Sequence, residues 1–181
     1  GRALIGYLTY PNITLKNSIP NALFYEYDRL HKSRAPLPAP AHPYSTTGKL
    51  EPSVTRREYL QKIRRIKQLL AAGEIYQLNY AIRFRKRFTG DPYALFYRLT
   101  QNNPAEFSAY LNCGKFQIVS ASPERLFRLK NRTLRTEPIK GTAPKTGPRT
   151  LQKLLASEKE RAELDMITDL ARNDVGKICE Y

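Results

Sequence analysis

The chain of 181 residues is long enough for one ordinary domain with a buried core, or for part of a larger one. Its content of 41% hydrophobic and 26% charged residues is typical of a folded globular protein, and no run of eighteen apolar residues is available to cross a membrane. The net charge of +15 is compatible with a nucleic-acid partner, or with the basic part of a longer protein. Because Cys113 and Cys179 form no Cys-x-x-Cys pair, we expect free thiols, no zinc site and a reducing cytosol.

The N-terminal third is predicted to contain short strands and a long loop. Residues 3–9 are typical of a strand, and residues 22–30 form a second apolar stretch. Five prolines between residues 34 and 54 predict a loop or linker there. Because the chain has neither an initiator Met nor the pattern of a signal peptide, we expect it to begin in the middle of a protein.

The central part is predicted to contain two helices separated by a long strand. Thr55 and Glu58 form a capping-box pattern, and the apolar stripe that follows indicates a helix that ends at Gly73. Residues 74–88 alternate between apolar and polar side chains, which predicts a strand. A second helix begins at Asp91-Pro92, with a predicted buried face formed by Leu95, Phe96 and Leu99.

Two hairpins and a final helix are predicted next. The first hairpin pairs 106–112 with 115–120, and the second pairs 125–130 with 133–138. A loop rich in Gly and Pro extends to residue 148, and the last helix is predicted from a capping box near Ser157 and Glu160 to about Arg172, with Asn173 and Asp174 terminating it. This mixture of helices and antiparallel hairpins predicts an α+β fold with an antiparallel sheet.

Lys140 is the first candidate for chemistry, as an amine nucleophile. It lies in a loop between two prolines, where Gly141 permits close approach of a ligand to the backbone and Thr142 adds a hydroxyl group. A lysine becomes nucleophilic when it is desolvated or placed near other cations. The alternative interpretation is an ordinary surface lysine.

Two glutamates are further candidates. Glu124 follows a Ser-Pro turn at a predicted strand end, which suits a general acid or base, and stabilisation of a helix N-terminus is the alternative. Glu163 lies four residues before Ile167 on the apolar face of the last helix, so it needs a cation or a ligand as partner. Magnesium is typically bound by one or two carboxylates together with substrate oxygens. An ion pair with Arg172 or Lys140 is the alternative.

Four sequence segments occur in a characteristic order. They are Glu-Ile-Tyr-Gln-Leu-Asn at 74–79, Ala-Ser-Pro-Glu-Arg at 121–125, Pro-Ile-Lys-Gly-Thr at 138–142, and the run at 161–174 that ends in Leu-Ala-Arg-Asn-Asp. In the order and spacing of these segments the chain resembles the chorismate-utilising enzymes, and the resemblance extends over nearly its whole length. The resemblance implies a cytoplasmic enzyme with an α/β sandwich of the anthranilate synthase type, in which helices pack on an antiparallel sheet that is incomplete in this chain.

Two positions distinguish between the reactions of this family. Members that add water at C2 of chorismate have a lysine base where this chain has Gln77, so isochorismate and salicylate synthesis are disfavoured. Anthranilate synthases usually have alanine where this chain has Lys140, and lysine there is similar to aminodeoxychorismate synthase component I. The resemblance therefore implies conversion of chorismate and glutamine-derived ammonia to 4-amino-4-deoxychorismate, in 4-aminobenzoate and folate biosynthesis. Anthranilate synthase component I is the alternative.

The resemblance also implies a role for each candidate residue. Lys140 attacks C2 of chorismate while the C4 hydroxyl leaves, and Glu124 occupies the general-acid position of the family. Glu163 is a ligand of Mg²⁺, which neutralises the ring carboxylate. A glutamine amidotransferase subunit or a fused domain supplies the ammonia. The expected contacts with substrate come from Gln77, Gly141 and Thr142.

The chain also departs from the family pattern. Ala143 stands where arginine is frequent, and Leu126 where phenylalanine is common. The later family motifs are absent: a histidine near the substrate, a second magnesium glutamate, Ser-x-Thr-Gly-x-Pro-Lys and a glycine-rich run. We therefore interpret residues 1–181 as part of one chorismate-binding catalytic domain, truncated at both ends and expected to be inactive alone. Missing acidic segments would explain the charge without a nucleic-acid partner, and a nucleic-acid-binding module is the second alternative.

Overall fold

A computed structural model describes residues 2–8, 21–144, 147–148 and 150–180. The chain divides into two compact units, one formed by residues 39–95 and the other by residues 1–38 together with 96–181. Every strand of the described residues belongs to a two-stranded antiparallel pair, and the helices lie within, between and after these pairs along the chain. The predicted α+β class with antiparallel strands is therefore confirmed.

The unit formed by residues 39–95 is built on one strand pair. Strand β3 (Tyr44–Pro52) runs antiparallel to β4 (Phe84–Gly90), and Ser45 Oγ lies 2.8 Å from Thr89 Oγ1 across the pair. The register shifts between Thr47 and Glu51, so the ladder is irregular in its middle. The prediction of a continuous loop over 34–54 was wrong for 44–52, because the complementary strand β4 provides hydrogen-bond partners that the proline count does not reveal.

Helix α1 (Arg56–Ala71) connects the two strands and begins as its sequence predicts. The Glu58 N–H donates to Thr55 Oγ1 at 3.2 Å, and the Thr55 N–H donates to Glu58 Oε2 at 2.7 Å. The Thr55 hydroxyl also donates to Glu58 Oε2 at 2.7 Å, and the backbone and hydroxyl hydrogen bonds from Thr55 hold the pKa of Glu58 below its ordinary value of 4.5. The helix ends before Gly73, whose φ of +72° is a conformation that favours glycine.

The predicted strand over 74–88 was only partly correct, because regular pairing begins at Phe84 and residues 74–83 are irregular. The reason lies in the partner strand. The ladder ends where Pro52 faces Phe84. Beyond this pair, the segment that follows β3 turns into α1 and no longer runs beside residues 74–83. An alternating sequence forms a strand only where a neighbour accepts its hydrogen bonds.

Helix α2 (Pro92–Asn102) begins as predicted, because Asp91 Oδ1 accepts a hydrogen bond from the Tyr93 N–H at 2.8 Å. Phe96 is buried on its predicted inner face, and Leu95 and Leu99 are half-buried.

The other unit contains three strand pairs. Tyr7 of the first pair packs edge-on against Phe116, with ring centroids 5.9 Å apart. The predicted hairpins are confirmed, although the strands of the second hairpin are only three residues long. The pairs are β1 (Ala3–Leu8) with β2 (Ala22–Tyr27), β5 (Phe107–Asn112) with β6 (Gln117–Ser122), and β7 (Arg128–Lys130) with β8 (Thr133–Arg135).

A short helix, α3 (Thr150–Leu155), precedes the last helix and was not predicted. Helix α4 (Glu158–Gly176) has Ser157 as its N-cap, which confirms the predicted start. The predicted end near Arg172 was wrong. Val175 is half-buried and continues the inner face of the helix, so packing extends the helix through residues of low helix propensity.

Apolar burial is sparse in the described residues. The buried hydrophobic side chains there are Ala94, Phe96 and Cys113. Cys113 and Cys179 are free thiols. Within the described ranges, no helix is both long and apolar enough to span a membrane. Local hydrogen bonding and turn geometry therefore carry a large share of the conformational specificity in this chain.

The turn between β7 and β8 contains two non-glycine residues with positive φ. Asn131 and Arg132 have φ values of +49° and +64°, and two consecutive residues with positive φ are typical of a two-residue type I′ hairpin turn. Asparagine tolerates this conformation, whereas arginine is strained in it. The turn fixes the register in which Arg128 faces Arg135.

The Arg132→Gly variant is expected to be more stable than the parent. Glycine removes the steric cost of a Cβ atom at positive φ, and this gain exceeds the cost of the larger conformational entropy of glycine in the unfolded chain. The net increase in the free energy of unfolding is about 0.5–1 kcal/mol. Urea unfolding measures this gain. The control is Lys130→Gly in β7, which is expected to destabilise, and a loss of stability in both variants would contradict the assignment of strain to Arg132.

Candidate functional site

The segment that carries Lys140 leaves the β7–β8 hairpin in an irregular conformation. Lys140 and Gly141 are half-buried, and Thr142 is exposed. Gly141 has a φ of +91°, which lies in the region that glycine tolerates and other residues rarely adopt. The predicted importance of the glycine therefore has a local physical reason. It allows the backbone to turn directly after the lysine.

Gly141 also lies against the last two helices. A Cβ atom placed on it would lie 3.3 Å from Glu160 Oε2 and 3.3 Å from Leu154 Cδ1. The side chain of Glu160 thus reaches the Lys140 segment. Sequence reasoning treated Glu160 only as part of a helix cap and missed this contact. The sequence feature that could have revealed this contact is the position of Glu160 three residues before Glu163, which places both side chains on one helix face.

Glu124 lies beyond the end of β6, as predicted, and the helix-capping alternative was wrong because it begins no helix. A local turn holds its backbone: Ser122 Oγ accepts from the Glu124 N–H at 3.3 Å and donates to the Glu124 carbonyl at 2.9 Å. Its carboxylate Oε1 accepts a hydrogen bond from the Ile139 N–H at 3.2 Å. The structure therefore brings Glu124 into contact with the residue immediately before Lys140.

Glu163 lies on the half-buried face of α4, as its spacing from Ile167 predicts. Its side chain is 38% exposed, and its Oε1 lies 3.9 Å from Lys159 Nζ one turn earlier. Arg172 pairs instead with Asp169. The contact between Glu163 and Lys159 is long and accessible to solvent, and ion pairs of this kind contribute little to stability.

The carboxylates of Glu160 and Glu163 fit the chemistry of a hard cation, which prefers oxygen ligands. They lie one turn apart on the half-buried face of α4. No group of three or more His, Cys, Asp or Glu side chains with metal-binding geometry occurs among the described residues. The two carboxylates on this face can bind a magnesium ion only if a substrate or another part of a protein supplies further oxygen ligands.

Gln77 belongs to the other unit, in the irregular segment between α1 and β4. Its side chain is half-buried. The segment is held near α1 by Tyr80, whose ring stacks on Tyr59 with centroids 5.7 Å apart. The predicted polar front of a strand is thus replaced by an irregular segment, and the proposed substrate contact of Gln77 stays a prediction.

An apolar groove lies between the β7–β8 hairpin and α4. Its volume is about 600 Å³, and its walls include Leu126 and Phe127 on one side and Ile167 and Leu170 on the other. Glu124 is the acidic residue at the hairpin side of the groove. The lining residues do not include Lys140, Gly141, Thr142 or Glu163.

Residues 12–181 match the family described as chorismate binding enzyme. The match covers nearly the whole chain, and the chain belongs to this family. The family assignment made from the four sequence segments is therefore confirmed.

Relatives of two kinds are similar to the chain. Aminodeoxychorismate synthase component 1 of Salmonella typhimurium is 40% identical over 157 residues, which are 84% of this chain and 34% of that protein. Anthranilate synthase component 1 of Thermus thermophilus is 35% identical over 165 residues, which are 88% of this chain and 35% of that protein. The chain thus spans about a third of the length of these curated relatives.

A solved structure supports the fold. The crystal structure of anthranilate synthase component I from Streptococcus pneumoniae has a TM-score of 0.63 and 31% sequence identity to this chain. The similarity covers 72% of this chain and 29% of that one. The predicted anthranilate synthase type of fold is confirmed, in an incomplete form.

The Gly141→Ala variant is expected to be less stable than the parent by about 1–2 kcal/mol, because a Cβ atom is strained at its positive φ. The added methyl group also crowds Glu160. Urea unfolding measures the loss. The matched control is Gly147→Ala, where a Cβ meets no atom within 4 Å. Equal losses in the two variants would contradict a specific constraint at Gly141.

Proposed function

We propose that the chain is the lysine-bearing part of an aminodeoxychorismate synthase component I, which converts chorismate and ammonia to 4-amino-4-deoxychorismate in the cytosol. The observation that carries the proposal is Lys140, a half-buried residue in a segment held by Glu124 and turned by Gly141. Similarity to the Salmonella typhimurium relative supports it. Ammonia comes from a glutamine amidotransferase subunit or domain, and the product serves 4-aminobenzoate and folate synthesis.

The proposed reaction has two displacement steps. Lys140 Nζ forms a bond to C2 of chorismate as the C4–oxygen bond breaks, and the departing hydroxyl takes a proton from Glu124 and leaves as water. Ammonia then forms a bond at C4, and the lysine amine leaves C2. Gly141 and Thr142 are placed beside the lysine in sequence, where they provide an N–H and a hydroxyl for substrate oxygens. Gln77 is an uncharged contact that does not activate water.

Glu163, with Glu160 on the same helix face, is the proposed ligand of Mg²⁺. When bound, the ion supplies positive charge that neutralises the ring carboxylate of chorismate. The weak ion pair between Glu163 and Lys159 leaves the carboxylate accessible to this role. Lys159 competes with a cation only modestly, because its ammonium is largely exposed to water.

Anthranilate synthesis is the second candidate function. It is favoured by the Thermus thermophilus relative and by the Streptococcus pneumoniae structure. The two reactions share the substrate and the ammonia donor, and they differ in whether pyruvate is released. Product analysis with chorismate, ammonium and Mg²⁺ therefore separates them. Formation of anthranilate with pyruvate would contradict the first proposal.

Replacement of Lys140 tests the covalent role. In the protein expressed from its complete gene, Lys140→Ala and Lys140→Arg are both expected to lower kcat for 4-amino-4-deoxychorismate by roughly a thousandfold or more, because each removes the nucleophile. Chromatography of the products measures the loss. The control is Lys153→Ala, an exposed lysine on α3. Full activity of the Arg variant would exclude covalent catalysis by Lys140.

Replacement of Glu163 tests the metal site. Glu163→Gln is expected to raise the Mg²⁺ concentration needed for half-maximal binding by about tenfold or more, because the ligand loses its charge. Isothermal titration with MgCl₂ in the presence of chorismate measures the shift. Glu158→Gln, at an exposed position in the first turn of the same helix, is the control. Unchanged Mg²⁺ binding in Glu163→Gln would remove Glu163 from the site.

A further inference from the structure

The register of the β7–β8 hairpin can be extended by counting residues along the two arms beyond its regular strands. The outermost ladder pair is Arg128 with Arg135. Four residues further out on each arm, the same register places Glu124 opposite Ile139, and the next position on the second arm is Lys140. On each arm the turn is thus followed by three paired residues and four further residues, the last of which are Glu124 and Ile139.

The backbone ladder ends at Arg128 and Arg135, and a proline further out on each arm opposes its extension to the lysine. In the extended register, Pro138 lies opposite Arg125, and Pro123 lies opposite Lys140. Neither proline has an N–H to donate, so each interrupts backbone pairing. Another kind of contact is needed to hold the two arms together at this end.

Two side chains provide this contact. Thr136 Oγ1 donates to the Leu126 carbonyl at 2.8 Å, and the Ile139 N–H donates to Glu124 Oε1 at 3.2 Å. Each hydrogen bond joins one arm of the hairpin to the other. The bond from Ile139 is made by the residue that precedes Lys140, and Ser122 fixes the backbone of Glu124 on the opposite arm.

We propose that Glu124 and Thr136 are positioning residues that hold Lys140 in register by cross-linking the two arms of the hairpin. This inference rests on the proposed function, in which Lys140 is the nucleophile. A nucleophile gains rate from being held in a near-attack position. Because the two hydrogen bonds lie on successive parts of the arms, loss of either one releases the segment only partly, and loss of both releases it beyond the ladder pair of Arg128 and Arg135.

The contact is compatible with proton donation by Glu124. The hydrogen bond from Ile139 uses only Oε1. A protonated carboxyl group keeps acceptor capacity on its carbonyl oxygen, so Glu124 holds the segment in both protonation states. Transfer of a proton from Oε2 therefore does not release Lys140 during the reaction.

The first experiment measures the contact directly, in the protein expressed from its complete gene. Hydrogen–deuterium exchange of the Ile139 amide is compared in the parent, Glu124→Ala and Glu124→Gln. Loss of this hydrogen bond is expected to accelerate exchange about tenfold in the Ala variant. The Gln variant keeps an acceptor oxygen, so its rate is expected to stay within about twofold of the parent. Exchange that is equal in all three proteins, or fast in both variants, would overturn the proposal.

The second experiment tests the same role without altering the carboxylate. Thr136→Val removes the hydroxyl at nearly constant volume, and Thr136→Ser keeps it. We expect Thr136→Val to lower kcat about tenfold, with KM for chorismate unchanged within about twofold, because a displaced nucleophile affects the chemical step. Thr136→Ser is expected to restore kcat. Unchanged kcat in Thr136→Val would contradict positioning by the hairpin.

The two experiments separate failure of this inference from failure of the proposed function. If the product is anthranilate, or if Lys140→Ala stays fully active, the proposed function is wrong. The Ile139 exchange rates then still decide whether Glu124 holds the segment. A different result would make only the positioning role wrong. In that case 4-amino-4-deoxychorismate is formed and depends on Lys140, but the Glu124 variants do not change Ile139 exchange as described and the Thr136 variants do not change kcat as described.

Discussion

The candidate site depends on one local constraint, the left-handed turn at Asn131 and Arg132. Two consecutive residues with positive φ fix the pairing of β7 with β8, and a side chain changes face with every one-residue shift of register. The strained arginine shows that the geometry of this turn is maintained at a cost in free energy. The contacts that the hairpin makes with the Lys140 segment depend on this register.

Apolar burial contributes little to holding this region. Leu126 and Ile178, on opposite walls of the groove beside the hairpin, are 81% and 76% exposed. At about 25 cal/mol per Å² of apolar surface removed from water, side chains this exposed contribute little to stability. Directional interactions therefore determine the local geometry: the hydrogen bonds from Thr136 and Ile139, and the backbone conformation of Gly141.

The sequence predicts the features that depend on neighbouring residues. The capping box at Thr55, the start of α4 at Ser157 and both hairpins follow from local patterns, and the family follows from four short segments. The strand at 44–52 and the irregular segment at 74–83 were not predictable, because they depend on which distant strand supplies hydrogen bonds. The contact of Glu124 with Ile139 joins residues fifteen positions apart and requires the register, which a propensity argument does not contain.

The prolines at 123 and 138, one on each arm, have a consequence for how this segment tolerates sequence change. Beyond the strands, side chains join the two arms. Within β7 and β8 the backbone ladder joins them, so many amino acids are compatible with the exposed positions of these strands. The number of residues between Glu124 and Lys140 is not free in the same way. A single insertion or deletion in the hairpin shifts the pairing so that Ile139 no longer faces Glu124. Length, more than residue identity, is therefore the conserved quantity to look for when homologous hairpins of this kind are aligned.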